Sequence, residues 1–334
     1  MVRTSNFTSE GLHNEGARAV SVLLITIIAL SALMGDVIIL VGTTKYRAIK
    51  LHRVVVVVIQ HLAVNDLLQT VLLIVPQILS LLTQDWVLGE LLCHVNENIF
   101  CVCFVLTGLL TSLLTTTKLL LVQFPLRLRG WSRKSAHLLC ALCWIFSLLQ
   151  PAQVVNIFLT SPESLLFSYV SYSCVYDYSK TPVSEWLMWF VHHIYSVSTL
   201  IMAVILIVTS GMLIMTARKF AEQTRDNVRW RGVLAITLTT SVFLISYLPA
   251  TLVRSTNQLL EPEYRVTTNR VVIFLTNVNV IANFFVYSVA LSSFRTFLLK
   301  KAQRLVRFCG LSSSLVRVHD INMSNASRNI PEKS

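Results

Sequence analysis

Cys93–Arg129 reads CHVNENIFCVCFVLTGLLTSLLTTTKLLLVQFPLRLR, and the fold turns on that stretch. Between Cys93 and Lys118, with His94 counted as neutral, the one charged residue is Glu97, close to the start. As a helix rising about 1.5 Å per residue, that run is about 37 Å long, enough to cross a bilayer and part of its headgroup layers. One end carries a cysteine. The other carries a lone cation, followed by Pro125-Leu126-Arg127.

The same pattern repeats along the chain. Of 334 residues, 54% are hydrophobic and 13% charged, and the mean hydropathy is +0.66. A soluble globular domain is excluded by that balance. The apolar residues fall in seven long blocks, about 19–43, 54–82, 92–122, 135–159, 186–216, 232–256 and 270–292. They are continuous and not amphipathic, so each reads as a membrane span. Met1–Arg18 lacks the apolar core of a secretory signal peptide, so the first span is expected to direct its own insertion.

Lysine and arginine set the expected orientation. Lys45, Arg47, Lys50 and Arg53 follow the first span, and Arg127, Arg129, Arg133 and Lys134 follow the third. Arg218, Lys219, Arg225, Arg229 and Arg231 follow the fifth, whereas the alternate loops are poorer in both residues, except that the last is mixed, with Arg254, Arg265 and Arg270 beside Glu261 and Glu263. The N-terminus is expected outside and the C-terminus inside. The net charge of +12 then reads as topology and attraction to an anionic inner leaflet, with no call for nucleic acid. Asn6-Phe7-Thr8 is a glycosylation sequon in the outer tail. Cys101, Cys103, Cys140 and Cys143 lie inside spans and read as small packing residues; Cys93 and Cys174 fall on the oxidising side.

Several short motifs stand in order on these spans. Gly35-Asp36 lies in the first and Leu62-Ala63-Val64-Asn65-Asp66 in the second, with Pro76 expected to kink that helix near its outer end. Trp86-Val87-Leu88-Gly89 precedes Cys93. Trp144 and Pro151 belong to the fourth span. Phe243 through Pro249 closes the sixth, and Asn283-Phe284-Phe285-Val286-Tyr287 closes the seventh. Taken together, this order resembles the rhodopsin-like G-protein-coupled receptors.

That resemblance implies an all-α membrane protein: a seven-transmembrane helix bundle over 19–292, a tail at 1–18, and a short amphipathic eighth helix at 293–308 before a cytoplasmic tail at 309–334. It also implies a Cys93–Cys174 disulfide. Val170, Tyr172, Cys174, Tyr176 and Tyr178 alternate as in a strand, similar to the β-hairpin in the second outer loop of peptide-binding members; the alternative is an irregular loop with aromatics at the membrane surface. Cys309 is a candidate for palmitoylation or a free thiol.

The departures bear on function. Thr117-Lys118-Leu119 stands where the family has an acidic-Arg-aromatic triplet, Tyr247 where it has tryptophan, and Phe284 where it has proline. The fifth span has no internal proline. Lys118, Pro125, Leu126, Tyr247, Pro249 and Tyr287 are the expected coupling and switch residues.

Asp66, Thr107, Asn279 and Asn283 match the polar pocket in which family members hold a sodium ion; the alternative is a hydrogen-bonded network without an ion. Asp36, an asparagine in most of the family, adds a second carboxyl. Two carboxylates that close do not both stay ionised unaided, so a shared proton or a cation is expected. Gln77, Glu97, Phe100, Phe104, Arg254 and Arg270 are expected to line an outer ligand cavity. The two arginines suit a carboxylate or acidic side chain, or else anchor at headgroups.

No paired nucleophile and base points to an enzyme, and no internal symmetry points to a transporter. The resemblance implies a plasma-membrane receptor for a peptide or other acidic ligand, acting on a heterotrimeric G protein, with no cofactor beyond that sodium ion. The alternatives are a receptor for an acidic lipid and a receptor-descended protein with weak or no coupling.

Overall fold

The computed structural model describes residues 3–4, 15–45, 52–124, 130–150, 165–168, 172–176, 185–224, 227–256 and 262–290, with a few isolated residues between 295 and 303. Within the helices, the side chains of 185–196, 220–232 and 253–270 lie outside the described residues. So do Asn6, Pro125, Leu126, Cys309 and most of the expected amphipathic segment at 293–308.

Seven helices run through the described residues and follow the seven apolar blocks. They are α1 (Glu15–Lys45), α2 (Arg53–Thr83), α3 (Gly89–Gln123), α4 (Arg133–Leu148), α5 (Glu185–Thr224), α6 (Asn227–Thr256) and α7 (Pro262–Ala290). Five of them contain stretches long and apolar enough to cross a membrane, among them Arg18–Thr44 and Val271–Ser288; in α6 the apolar stretch is the shorter Val233–Pro249. Helix is what such sequences must form in lipid, because it satisfies every backbone polar group within the segment. The outward side chains suit that solvent. Leu23, Met34, Leu138, Val204 and Ile245 are all largely exposed, a surface that water disfavours and lipid does not.

Helix α3 is the axis. About two thirds of its apolar stretch (67%) is buried, against 28–44% in the other four spans, and it packs on α2, α4, α5 and α6. Helix α7 closes the ring between α1 and α6. One core at the arginine-rich end joins Leu110, Leu114, Val58, Leu62 and Tyr287. A second, at the opposite end, gathers Trp86, Cys93, Tyr172 and Cys174.

Proline shapes α2 differently from a simple kink. Thr70–Ile74 forms a π turn, and Pro76 follows it in the first turn of the outer segment Val75–Thr83. Pro76 has no N–H for the carbonyl four residues back, which is that of Leu72. Asn96 of α3, itself buried, donates its side-chain amide to that carbonyl at 2.9 Å. The π turn is thus tied to α3 by a bond that a straight helix would not offer.

The turn into α3 is equally specified. Gln84 is left-handed and Gly89 has φ 80°, a conformation glycine adopts without strain. Asp85 Oδ1 accepts from the Trp86 backbone N–H at 2.7 Å, and the Trp86 indole donates to the Gly89 carbonyl at 2.7 Å. Beyond it, the Cys93–Cys174 disulfide ties the top of α3 to strand β3. That strand, Ser173–Tyr176, pairs antiparallel with β2, Leu165–Ser168. Arg3–Thr4, here β1, adds a parallel strand to the other edge of β2.

Candidate functional site

Polar residues inside an apolar bundle face inward when they can find partners. Here they form three tiers along α3. In the outer tier, Asn277 of α7 donates to Gln77 of α2 at 2.9 Å. Both are buried, as is Glu97 on α3. Arg254 and Arg270 fall on α6 and α7, but their side chains lie outside the described residues.

The middle tier is aromatic. Phe100 and Phe104 stand a turn apart on α3, with ring centroids 6.4 Å apart. Phe104 meets Tyr247 edge-on at 4.7 Å, and Tyr247 stacks on Phe243 at 4.9 Å. Tyr247 is buried and needs a partner for its hydroxyl. Gln69 is that partner: its amide N and Tyr247 Oη lie 3.2 Å apart, and its amide O lies 3.3 Å from the same hydroxyl. The proline bend at Pro249 lies inside α6 just beyond this tyrosine.

The inner tier centres on Asp66. Asn283 of α7 donates to Asp66 Oδ2 at 2.8 Å. Asp66 Oδ1 and both carboxyl oxygens of Asp36 are buried with no hydrogen-bond donor, and the two carboxyls lie within electrostatic reach of one another. Buried carboxyl oxygens without donors are strongly unfavourable unless a proton or a cation meets them. Oxygen donors of this kind suit a small hard cation, so the residues fit a sodium ion. Of the expected set, Thr107 is differently engaged: it accepts from the Asn65 side chain at 2.7 Å and donates to the Cys103 carbonyl at 2.8 Å. Asn279 is buried with its amide N unpartnered.

Further along α3, Thr115 and Thr240 of α6 share a hydrogen bond at 3.0 Å. Lys118 is half-buried, next to buried Thr117. Tyr287 is buried in the inner core. Phe284, in place of the family's proline, packs into the notch at Gly35: a Cβ there would lie 2.7 Å from Phe284 Cβ and Cγ.

Sequence reading did not single out Asn65, Gln69, Asn96 or Asn277 as site residues. The signal was present, since each is an amide in an otherwise apolar span. Gln69 lies three residues after Asp66, close to the same helix face. What the sequence lacked was their partners, each on another helix.

A family model described as 7 transmembrane receptor (rhodopsin family) matches residues 36–289. No curated protein matches the chain.

Proposed function

The chain belongs to the rhodopsin family of seven-transmembrane receptors, and from that premise we propose that it is a plasma-membrane receptor, not an enzyme, that binds an extracellular ligand and signals to heterotrimeric G proteins. The observation that carries this is a series of inter-helix contacts stacked in three tiers along the bundle. It runs from Gln77 and Asn277, through Phe104, Tyr247 and Gln69, towards Asp66 and Asn283 on the same two helices that carry the outer pair. Each contact joins two helices, so a ligand that displaces the outer pair biases the packing of α2, α6 and α7 together.

The ligand is a peptide with an acidic residue or a free carboxyl terminus. Arg254 and Arg270 support that reading by charge and by position near the outer ends of their helices; strands β2 and β3 tethered over α3 support it as a hairpin lid. An acidic lipid presents the same carboxylate or phosphate chemistry and is the second arm of the test. The N-terminus is extracellular, Asn6 is glycosylated, and residues 293–308 lie along the inner leaflet with Cys309 palmitoylated. A sodium ion held by Asp66 and Asp36 supports the inactive packing.

The test is a screen of acidic peptides and acidic lipids against the full-length chain, read through several G-protein classes. Once a ligand is found, Arg254→Ala is expected to weaken it at least about tenfold, the loss of one desolvated charged hydrogen bond. Unchanged affinity removes Arg254 from the site.

A second reading, weak or absent coupling, is favoured by Phe284 and Lys118. The Phe284 ring fills the notch at Gly35, so any sliding of α7 along α1 must displace it. A chain that binds its ligand yet activates no G-protein class would establish this reading over the first.

A further inference from the structure

Outside the three tiers, one cluster of titratable side chains is built as a unit. His61, half-buried on α2, has His137 of α4 beside it, with Nε2 of the first 3.1 Å from Nδ1 of the second. The rings meet edge to face at a centroid distance of 5.4 Å. On the other side of His61, the Trp144 indole donates to Nδ1 at 3.2 Å. These contacts bridge α2 and α4, helices that pack on each other near the arginine-rich end of the bundle.

The indole decides where the protons are. Trp Nε1–H is a donor only, so His61 Nδ1 is an acceptor and carries no proton. A neutral His61 then carries its proton on Nε2 and donates it to His137 Nδ1. His137 in turn keeps its own proton on Nε2, towards the exterior. The bridge is a directed chain, Trp144 to His61 to His137, with every facing nitrogen already committed.

From this we propose that the Trp144–His61–His137 chain is a proton-sensitive tie between α2 and α4, closed when both imidazoles are neutral and released when either takes up a proton. The one lone pair of His61 that can take a proton, at Nδ1, already accepts from the indole, and a proton there faces the indole N–H. His137 has one at Nδ1, and a proton there faces the His61 N–H. Either event sets two donors against each other at hydrogen-bond distance. A second proton on the pair also brings two cations together. Because the closed state binds fewer protons than the open one, the tie strengthens as pH rises and is lost as pH falls through the histidine range.

The groups around it leave that behaviour to the pair. His137 is the ionisable side chain that acts on His61; α4 also carries the thiols of Cys140 and Cys143, and Arg133 and Lys134 stand one turn before His137. A divalent metal between the rings fits poorly. It needs the His61 Nε2 lone pair, which moves the proton to Nδ1 and against the indole. In the orientation proposed above, the pH sensed is cytosolic.

The test uses the full-length chain in lipid nanodiscs, with the thermal unfolding midpoint followed from about pH 8 to about pH 5.5, across the histidine range. The comparison is the double variant His61→Asn/His137→Leu, in which an amide oxygen still accepts from Trp144 and nothing titrates. The parent midpoint is expected to fall with pH, and the double variant to lose at least half of that fall. Equal falls in the two chains overturn the proposal. So does a rise of the parent midpoint with zinc near pH 8 that needs both histidines, which would make the pair a metal site. Should the double variant fail to fold, nitrogen-15 NMR of the histidine-labelled parent decides. A proton on Nε2 of both rings at neutral pH supports the tie, and one on Nδ1 of His61 overturns it.

Discussion

At the scale of single residues, the inner surface is defined by buried polar side chains that meet partners on other helices. Tyr247 and Gln69 are both buried and bond to each other. Tyr247→Phe removes the hydroxyl and leaves the Gln69 amide buried and unpaired, which costs about 1–3 kcal/mol. A lower unfolding midpoint is expected. Gln69→Leu in the Tyr247→Phe background is expected to recover much of the loss, because it removes the orphaned amide; additive losses would show that the two side chains act separately. Asp36 presents the opposite case. Its two oxygens are buried without donors, and Asn283 serves Asp66 alone. If a sodium ion meets that demand, the midpoint rises when choline chloride is replaced by sodium chloride at constant ionic strength, and Asp36→Asn reduces the rise. An identical sodium response in the variant would leave Asp36 without a part in ion binding. Both residues were readable as polar intrusions into apolar spans. That Tyr247 would reach α2 was not, because pairing across the bundle depends on helix rotation, which hydropathy leaves open.

At the scale of elements, hydropathy located all seven helices, since in lipid the element must be both apolar and helical. The first three blocks match their helices closely, while α5 runs on to Thr224 and α7 starts already at Pro262, beyond the apolar blocks. The departures lie where backbone chemistry intervenes. Pro76 was readable as a break in α2. The π turn at Thr70–Ile74 and its tie to Asn96 were not, because the freed Leu72 carbonyl is satisfied from another helix. Asn96→Leu therefore leaves that carbonyl without its partner, at a cost of about 1–3 kcal/mol. Pro76→Ala restores the N–H that can serve the same carbonyl, so Asn96→Leu is expected to cost less in a Pro76→Ala chain. Equal losses in the two backgrounds, measured by thermal unfolding, would show that Asn96 does not act through the π turn. The order and spacing of the motifs from Asp36 to Phe294 carried the family reading, since each motif alone is weak and their sequence along seven spans is not.

At the scale of the whole molecule, the function rests on whether the three tiers connect to the arginine-rich end. Helices α2 and α3 both pass through every tier, and α3 carries Thr117 and Lys118 within its last two turns. An arginine at position 118 would present a planar fork of donors able to engage a carboxylate or a carbonyl pair in two parallel bonds. Lysine keeps the positive charge as a single point and forgoes the second bond. Thr117, buried beside it, supplies no carboxylate to restrain the cation within its own helix. In the sequence, Arg229 near the start of α6 stands where the family resemblance implies an acidic partner. The expected result is a poorly latched inner end, giving raised basal activity or a weak maximal response. Lys118→Arg is predicted to increase ligand-stimulated G-protein activation at equal surface expression, because the fork restores a two-point contact to the transducer. Lys118→Met, which keeps the length and removes the charge, is predicted to lower it. If the arginine variant responds no better than the parent while the methionine variant is unchanged, position 118 does not form the transducer contact. The weak-coupling reading would then rest on Phe284 alone, and on the wedge it drives between α1 and α7.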